Sequence, residues 1–147
     1  MNDIKVFFQK LHKDAITPEY KLMGDAGCDL FTIEDVLLKP GDIKLVSTGI
    51  SIQIPENSME AQIRSKSGLA LKHGIIVLNS PGTIDSGYRG EIKVILANFG
   101  KDSYTFKKGD SIGQMVFAFV YRGHFIEVDG LNSTDRGSGG FGHTGLR

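Results

Sequence analysis

The sequence contains no tryptophan and a single cysteine, Cys28, among its 147 residues. One cysteine rules out an intrachain disulfide and a thiolate zinc cluster, and it suits a reducing compartment. Neither sign of charge is in excess: 17 Lys and Arg balance 17 Asp and Glu, for a formal net charge of zero. Such a chain projects no long-range field toward a polyanion. With no basic stripe suited to duplex nucleic acid, direct nucleic-acid binding is not expected. A small phosphorylated ligand needs only a few local donors and remains open. No apolar run approaches the roughly 18 residues of a membrane-spanning helix, so no membrane partner is expected. The opening residues, Met1-Asn2-Asp3-Ile4-Lys5, lack the apolar stretch of a signal peptide, and the expected location is cytoplasmic.

What the chain does have is glycine, 19 residues of it, placed mostly at turns. Lys39-Pro40-Gly41-Asp42, Ser80-Pro81-Gly82, Asn98-Phe99-Gly100-Lys101 and Lys107-Lys108-Gly109-Asp110 all read as breaks. Between them the period is mostly two. Ile50, Ile52 and Ile54 alternate with Ser51 and Gln53, and Ile92, Val94 and Leu96 alternate with Lys93 and Ile95. That alternation turns one face of a strand inward and the other outward. Met115 to Tyr121 is apolar throughout and reads as a strand buried on both faces. The only plausible helix runs from Ser65 to His73, with Gly74 as its stop. The expectation is one all-β domain, a sandwich or barrel, over residues 1–135. From Arg136 to Gly145 five glycines surround one aromatic, Phe141. With little to bury, this tail over residues 136–147 is expected to be mobile when no ligand is bound.

Five stretches could carry chemistry. They are Ala26-Gly27-Cys28-Asp29-Leu30, Arg64-Ser65-Lys66-Ser67-Gly68, Asn79 to Ile92, Lys108 to Gln114, and the glycine-rich tail. Singly, each has an ordinary reading. Asp29 suits a turn, Ser67-Gly68 a helix start, Asp85-Ser86-Gly87 a hairpin turn, Lys108-Gly109-Asp110 a β-turn, and the tail plain disorder. The second stretch has a sharper reading too. Two cations and two hydroxyls beside the backbone N–H groups of a helix start form a phosphate cradle.

Taken together and in this order, the five stretches resemble the five motifs of the trimeric dUTP pyrophosphatase family. The resemblance implies a distorted jelly-roll-like antiparallel β-barrel that assembles as a homotrimer, with each active site drawing on all three subunits. It implies hydrolysis of dUTP to dUMP and pyrophosphate by Mg2+-assisted water attack on the α-phosphorus. That reaction limits uracil incorporation into DNA and supplies dUMP for thymidylate synthesis. Asp85 matches the residue that orients and deprotonates the water, and Asp29 matches the carboxylate that reaches magnesium through its water shell. Asn79, with the hairpin from Gly82 through Thr83 and Ile84, matches the uracil site, and Tyr88 matches the aromatic packed on the deoxyribose. Ser65, Ser67 and Gly68 match the phosphate-binding segment, Arg64 and Lys66 supply positive charge, and Gln114 lies near the α-phosphate. Phe141 would stack on uracil, while Arg136, Gly142, His143 and Thr144 would close over the triphosphate. The apolar strand near Met115 to Val120 would help to bury the subunit interface.

Departures from the family pattern are Lys66 in place of Arg, His143 in place of Ser, and Ser111 and Gly113 in place of Arg and Ala. The last two are expected to affect packing more than chemistry. Cys28 reads as a packed side chain rather than a nucleophile. Two rivals share the scaffold: a dCTP deaminase and a non-catalytic dUTP-sensing module.

Overall fold

The computed structural model describes residues 3–55 and 57–140. Eleven strands and one short helix follow one another along the described chain. They are β1 (Phe7–Lys10), β2 (Cys28–Phe31), β3 (Val36–Leu38), β4 (Ile43–Ser47), β5 (Ile50–Gln53), β6 (Met59–Arg64), α1 (Ser67–His73), β7 (Ile75–Val77), β8 (Gly82–Asp85), β9 (Lys93–Asn98), β10 (Tyr104–Phe106) and β11 (Ser111–Phe119). A four-stranded sheet in the order β2-β11-β6-β8 and a three-stranded sheet in the order β4-β9-β7 share one hydrophobic core, and β1-β5 and β3-β10 form two-stranded ribbons. Every pairing is antiparallel. The fold is all-β, as the turn spacing predicts, and jelly-roll-like, as the resemblance implies. No described helix is long and apolar enough to cross a membrane.

The period-two pattern fills the core. On β6, Met59, Ala61 and Ile63 are buried, while Glu60, Gln62 and Arg64 face outward. Ile92, Val94 and Leu96 are all buried, as are Ile50, Ile52 and Ile54, although Ser51 is buried with them. Phe106, Leu30 and Met115 complete the same interior. Each large side chain removed from water contributes about 1.5–3 kcal/mol. The helix is shorter than predicted, starting at Ser67 because Lys66 holds an extended conformation. It ends where expected. Gly74 adopts φ 67°, and its N–H bonds back to Ala70 and Leu69 carbonyls. A side chain at Gly74 would also collide with the backbone at Gly100.

Two sequence expectations need correction. The Met115–Tyr121 run is not buried on both faces of this chain: Met115 is buried, but Phe119 and Tyr121 are 68% and 99% exposed. The strand ends at Phe119, so the residues beyond it have left the sheet that would cover them. The hydrophobic runs flanking the Asn79–Ile92 stretch do pair, as β7 and β9, but the strands directly flanking Asp85-Ser86-Gly87 do not pair with each other. β8 pairs with β6, whereas β9 pairs with β4 and β7. The turn is therefore a corner between two sheets. Residues of both sheets line the space beside it.

Candidate active site

The space beside the Asp85 corner is a cleft of about 580 Å³. Its polar wall is Asn79, Gly82, Thr83, Asp85 and Tyr88, with Ile84 among the apolar lining. β8 lies at the sheet edge, bonded on one side only to β6. Its other edge is thus available to a ligand's hydrogen-bonding groups. Asn79 folds against Gly82, where a Cβ would lie 3.0 Å from the Asn79 amide nitrogen. Glycine at 82 thus lets the carboxamide sit directly on the strand. The Tyr88 N–H donates to the Asp85 carbonyl at 3.0 Å, closing a tight turn. Asp85 is exposed at the end of β8, opposite Glu60 of β6.

A second cleft, of about 270 Å³, opens on the outer face of the four-stranded sheet. Asp29, Gln114 and Arg64 stand directly opposite one another on β2, β11 and β6. Directly opposed residues share a face, so the three side chains line this cleft together. Lys66 reaches in from beyond β6. Its Nζ donates to Asp29 Oδ1 at 2.7 Å and to Ser111 Oγ at 2.8 Å, forming a partly buried ion pair. The Gln114 amide donates to the Ser65 carbonyl at 2.9 Å, and Gly27 leaves room for that carboxamide. Ser65 is a structural joint as well, its Oγ accepting from the Val77 N–H at 2.9 Å. Arg64 Nε and Nη2 both donate to Gln62 Oε1, at 3.1 and 2.6 Å, and the Gln62 amide donates to Glu60 at 2.6 Å.

The residues singled out in the sequence therefore gather in two places. Asn79, Gly82, Thr83, Ile84, Asp85 and Tyr88 share the corner cleft, and Asp29, Arg64 and Gln114 share the cation-bearing cleft with Lys66 at its edge. Ser67 and Gly68 open α1 and line neither cleft. A Cβ at Gly68 would meet nothing within 4 Å, so packing within this chain does not require glycine there. Arg136 is exposed, its Nε donating to the Gly139 carbonyl at 3.0 Å. Phe141, Gly142, His143 and Thr144 lie outside the described residues.

Three contributors escaped the sequence reading. Ser111, expected to affect packing more than chemistry, accepts a hydrogen bond from Lys66. A bulge between Ser111 and Gly113 shifts the register at this point, which re-aims side chains in a way no local pattern announces. Gln62 orients Arg64, and its only sequence signal is an outward position on an alternating strand. Glu91 lines the corner cleft and follows Tyr88-Arg89-Gly90 directly. Cys28 is buried, and that burial pushes its thiol above the usual range, which agrees with a packed, unreactive side chain.

A family model described as dUTPase matches residues 13–145. The deoxyuridine 5'-triphosphate nucleotidohydrolase of Gloeothece citriformis is 57% identical over 143 residues, covering 97% of this chain and 98% of the relative. The protein of the same name from Clostridium kluyveri is 52% identical over 142 residues, covering 97% and 99%. Among solved structures, a Staphylococcus bacteriophage 80alpha dUTPase with dUPNHPP matches with a TM-score of 0.87 at 25% identity, covering 97% of this chain and 99% of that one. With matches that run almost end to end in both sequence and fold, the chain belongs to the dUTPase family.

Proposed function

We propose that this chain hydrolyses dUTP to dUMP and pyrophosphate as a homotrimer, with Asp85 as the base that activates water. The observation that carries this reading is the division of the site. One cleft offers an amide, an open strand edge and a carboxylate, and the other offers cations and a second carboxylate.

Uracil presents both donors and acceptors along one edge. The carboxamide of Asn79 supplies both kinds of partner, and the free edge of β8 supplies backbone groups beside it. Asn79 seated directly on Gly82 brings its carboxamide against the β8 backbone, so that both can meet one edge of the base. Tyr88 stands at the same cleft, where its ring can pack on the sugar and screen out a 2′-hydroxyl. Asp85 is exposed at the cleft mouth, so its carboxylate is available to take a proton from water.

The triphosphate is assigned to the cation-bearing side, with Arg64, Lys66, Ser67, Gly68 and Gln114. Asp29 is the candidate to hold magnesium through water. Among the described residues no group of three His, Cys, Asp or Glu side chains could cage a metal. A single carboxylate beside a polar cleft fits an ion that keeps most of its water and binds chiefly to substrate phosphates. When bound, magnesium supplies charge neutralisation on the phosphates and fixes their geometry. This chain's own part is to present Asp29 and to move Lys66 off it and onto phosphate.

Along β6, Arg64 lies four positions beyond Glu60, the residue opposite Asp85. At about 3.4 Å per residue that is a separation of roughly 14 Å along the strand. Juxtaposition of one chain's corner with a neighbour's cation-bearing cleft would complete the site. Exposed apolar residues after β11, including Tyr121, Phe125, Ile126 and Leu131, supply surface for such an assembly. The tail from Arg136, with Phe141, Gly142, His143 and Thr144, is assigned the closing role over the bound nucleotide.

The test is pyrophosphate release from dUTP, dTTP, dCTP and UTP, with and without magnesium, for the wild type and Asp85→Asn. A strong preference for dUTP is expected in the wild type, with turnover lowered about 10²–10⁴-fold in the variant. Ammonia from dCTP would instead establish a deaminase, and tight dUTP binding without release would establish a sensor.

A further inference from the structure

We infer that Glu91 is a positioning residue for sugar selectivity, acting through Tyr88. The inference rests on the dUTP-hydrolysing reading above and concerns a residue that the reading itself does not use.

The geometry has two ends. At one end the Tyr88 hydroxyl donates to the Glu91 backbone carbonyl at 3.1 Å. The ring lies close over Gly90, where any Cβ would overlap the Tyr88 hydroxyl and ring carbons. Its placement is thus decided by the local path of the chain at Gly90 and Glu91. At the other end the Glu91 side chain reaches across to the β4–β5 turn. There its Oε1 accepts from the Gly49 N–H at 2.9 Å. Gly49 is itself held fast, at φ +69° and with His12, Ala15 and Ile33 within about 3 Å of where a Cβ would stand. The next residue reinforces the anchor. The Ile92 N–H donates to the Ile50 carbonyl at 2.8 Å, and Thr48 Oγ1 donates to the Ile92 carbonyl at 2.5 Å.

Glu91 therefore joins a rigid, buried turn to the aromatic that faces the sugar. Its carboxylate is largely buried, and Lys93 meets the outer oxygen, Oε2, at 3.3 Å. The corner between β8 and β9 has no ladder of its own to hold it, because those strands belong to different sheets. The Glu91 carbonyl shares its peptide unit with the Ile92 N–H that bonds to Ile50, and the Glu91–Gly49 bond is the side-chain staple that steadies the same residue from its other side. Loss of the staple lets that carbonyl drift, and the ring with it. Discrimination against a 2′-hydroxyl depends on ring position more than uracil binding does.

The experiment measures kcat and KM for dUTP and UTP in the wild type, Glu91→Ala, Glu91→Gln, Tyr88→Phe and the Glu91→Ala/Tyr88→Phe double variant. One net hydrogen bond corresponds to a loss of about three- to tenfold in the dUTP-to-UTP ratio of kcat/KM for Glu91→Ala. The loss should appear chiefly in KM for dUTP, with kcat changing less. Glu91→Gln keeps an acceptor for Gly49 and should restore the ratio. Tyr88→Phe removes the hydroxyl's bond to the carbonyl that the staple steadies, so it should lower the ratio similarly, with no further loss in the double variant. A folded Glu91→Ala protein with wild-type selectivity overturns the inference, as do losses that multiply in the double variant. If Glu91→Ala does not fold, Tyr88→Phe decides alone, and an unchanged ratio refutes the assignment. Wild-type protein that fails to hydrolyse dUTP overturns the functional reading and this inference with it, an outcome distinct from selectivity that survives the Glu91 change.

Discussion

Lys66→Met probes the cation-bearing cleft most directly. Methionine keeps the length and most of the volume of the lysine stem while removing the ammonium. Asp29 then loses its partner at 2.7 Å, and Ser111 loses a donor at 2.8 Å. Breaking a fully buried pair from one side costs about 3–5 kcal/mol. An exposed pair contributes only about 0–1 kcal/mol. Here the Asp29 side chain is 12% exposed and the Lys66 side chain 29%, beside a cleft that admits solvent. The loss should accordingly fall between these limits, at about 1–2 kcal/mol. For a chain of this length that lowers Tm by about 3–8 °C. The cause can be isolated by adding Asp29→Asn, which removes the orphaned charge and should recover most of the loss. Thermal and urea unfolding, at one fixed chain concentration because assembly shifts apparent stability, would give all four corners of the cycle. A Lys66→Met protein within about 0.3 kcal/mol of wild type would refute the reasoning, and so would simple additivity of the two changes.

Two further expectations concern groups outside both clefts. Asp35 accepts from the Lys108 N–H and from Lys107 Nζ, each at 2.9 Å, and these contacts hold its carboxyl below the usual aspartate range. A folded pKa below the unfolded one adds stability above the unfolded value and loses it as pH falls through the folded one. The stability gap between wild type and Asp35→Asn should thus narrow on acidification, as urea midpoints between pH 7 and pH 3 would reveal; a gap independent of pH contradicts it. Cys28 is 2% exposed, and burial is the main reason its thiol is pushed up. At pH 8 the native protein should react with a chromogenic disulfide reagent far more slowly than the urea-unfolded chain, and rapid stoichiometric labelling in native buffer would count against the buried assignment.

Much of the fold was legible because it depends on local pattern. The alternation around Ile92, Val94 and Leu96 places three residues in the core, and all three are there. Gly74 ends the helix because a left-handed residue is needed at that point, and glycine adopts that conformation at least cost. What escaped was set by contacts far apart in sequence. Ser111 meets Lys66 across 45 residues, and Glu91 meets Gly49 across 42. The apolar run from Met115 to Tyr121 shows the same limit. Composition says that such residues prefer cover, but not which surface provides it, and within this chain Phe119 and Tyr121 have none.

The corner at Asp85 shows why a correct local reading can still miss the element that makes a site. Asp85-Ser86-Gly87 does form a turn, closed by the Tyr88 N–H on the Asp85 carbonyl. A turn signal, however, says nothing about whether the strands it joins pair with each other. Here they part, β8 to the edge of one sheet and β9 to the centre of another. Had they paired as a hairpin, the backbone edge of β8 would be bonded and the space between the sheets closed. Their separation leaves both an unpaired strand edge and a cleft of about 580 Å³ beside the same carboxylate. The candidate recognition groups and the candidate base are therefore products of one topological event, with a cost: β8 and β9 share no ladder, and the corner between them is held by scattered bonds. Tyr88 on Asp85 and Ile92 on Ile50 hold its backbone, and Glu91 on Gly49 and Tyr88 on Glu91 add side-chain bonds.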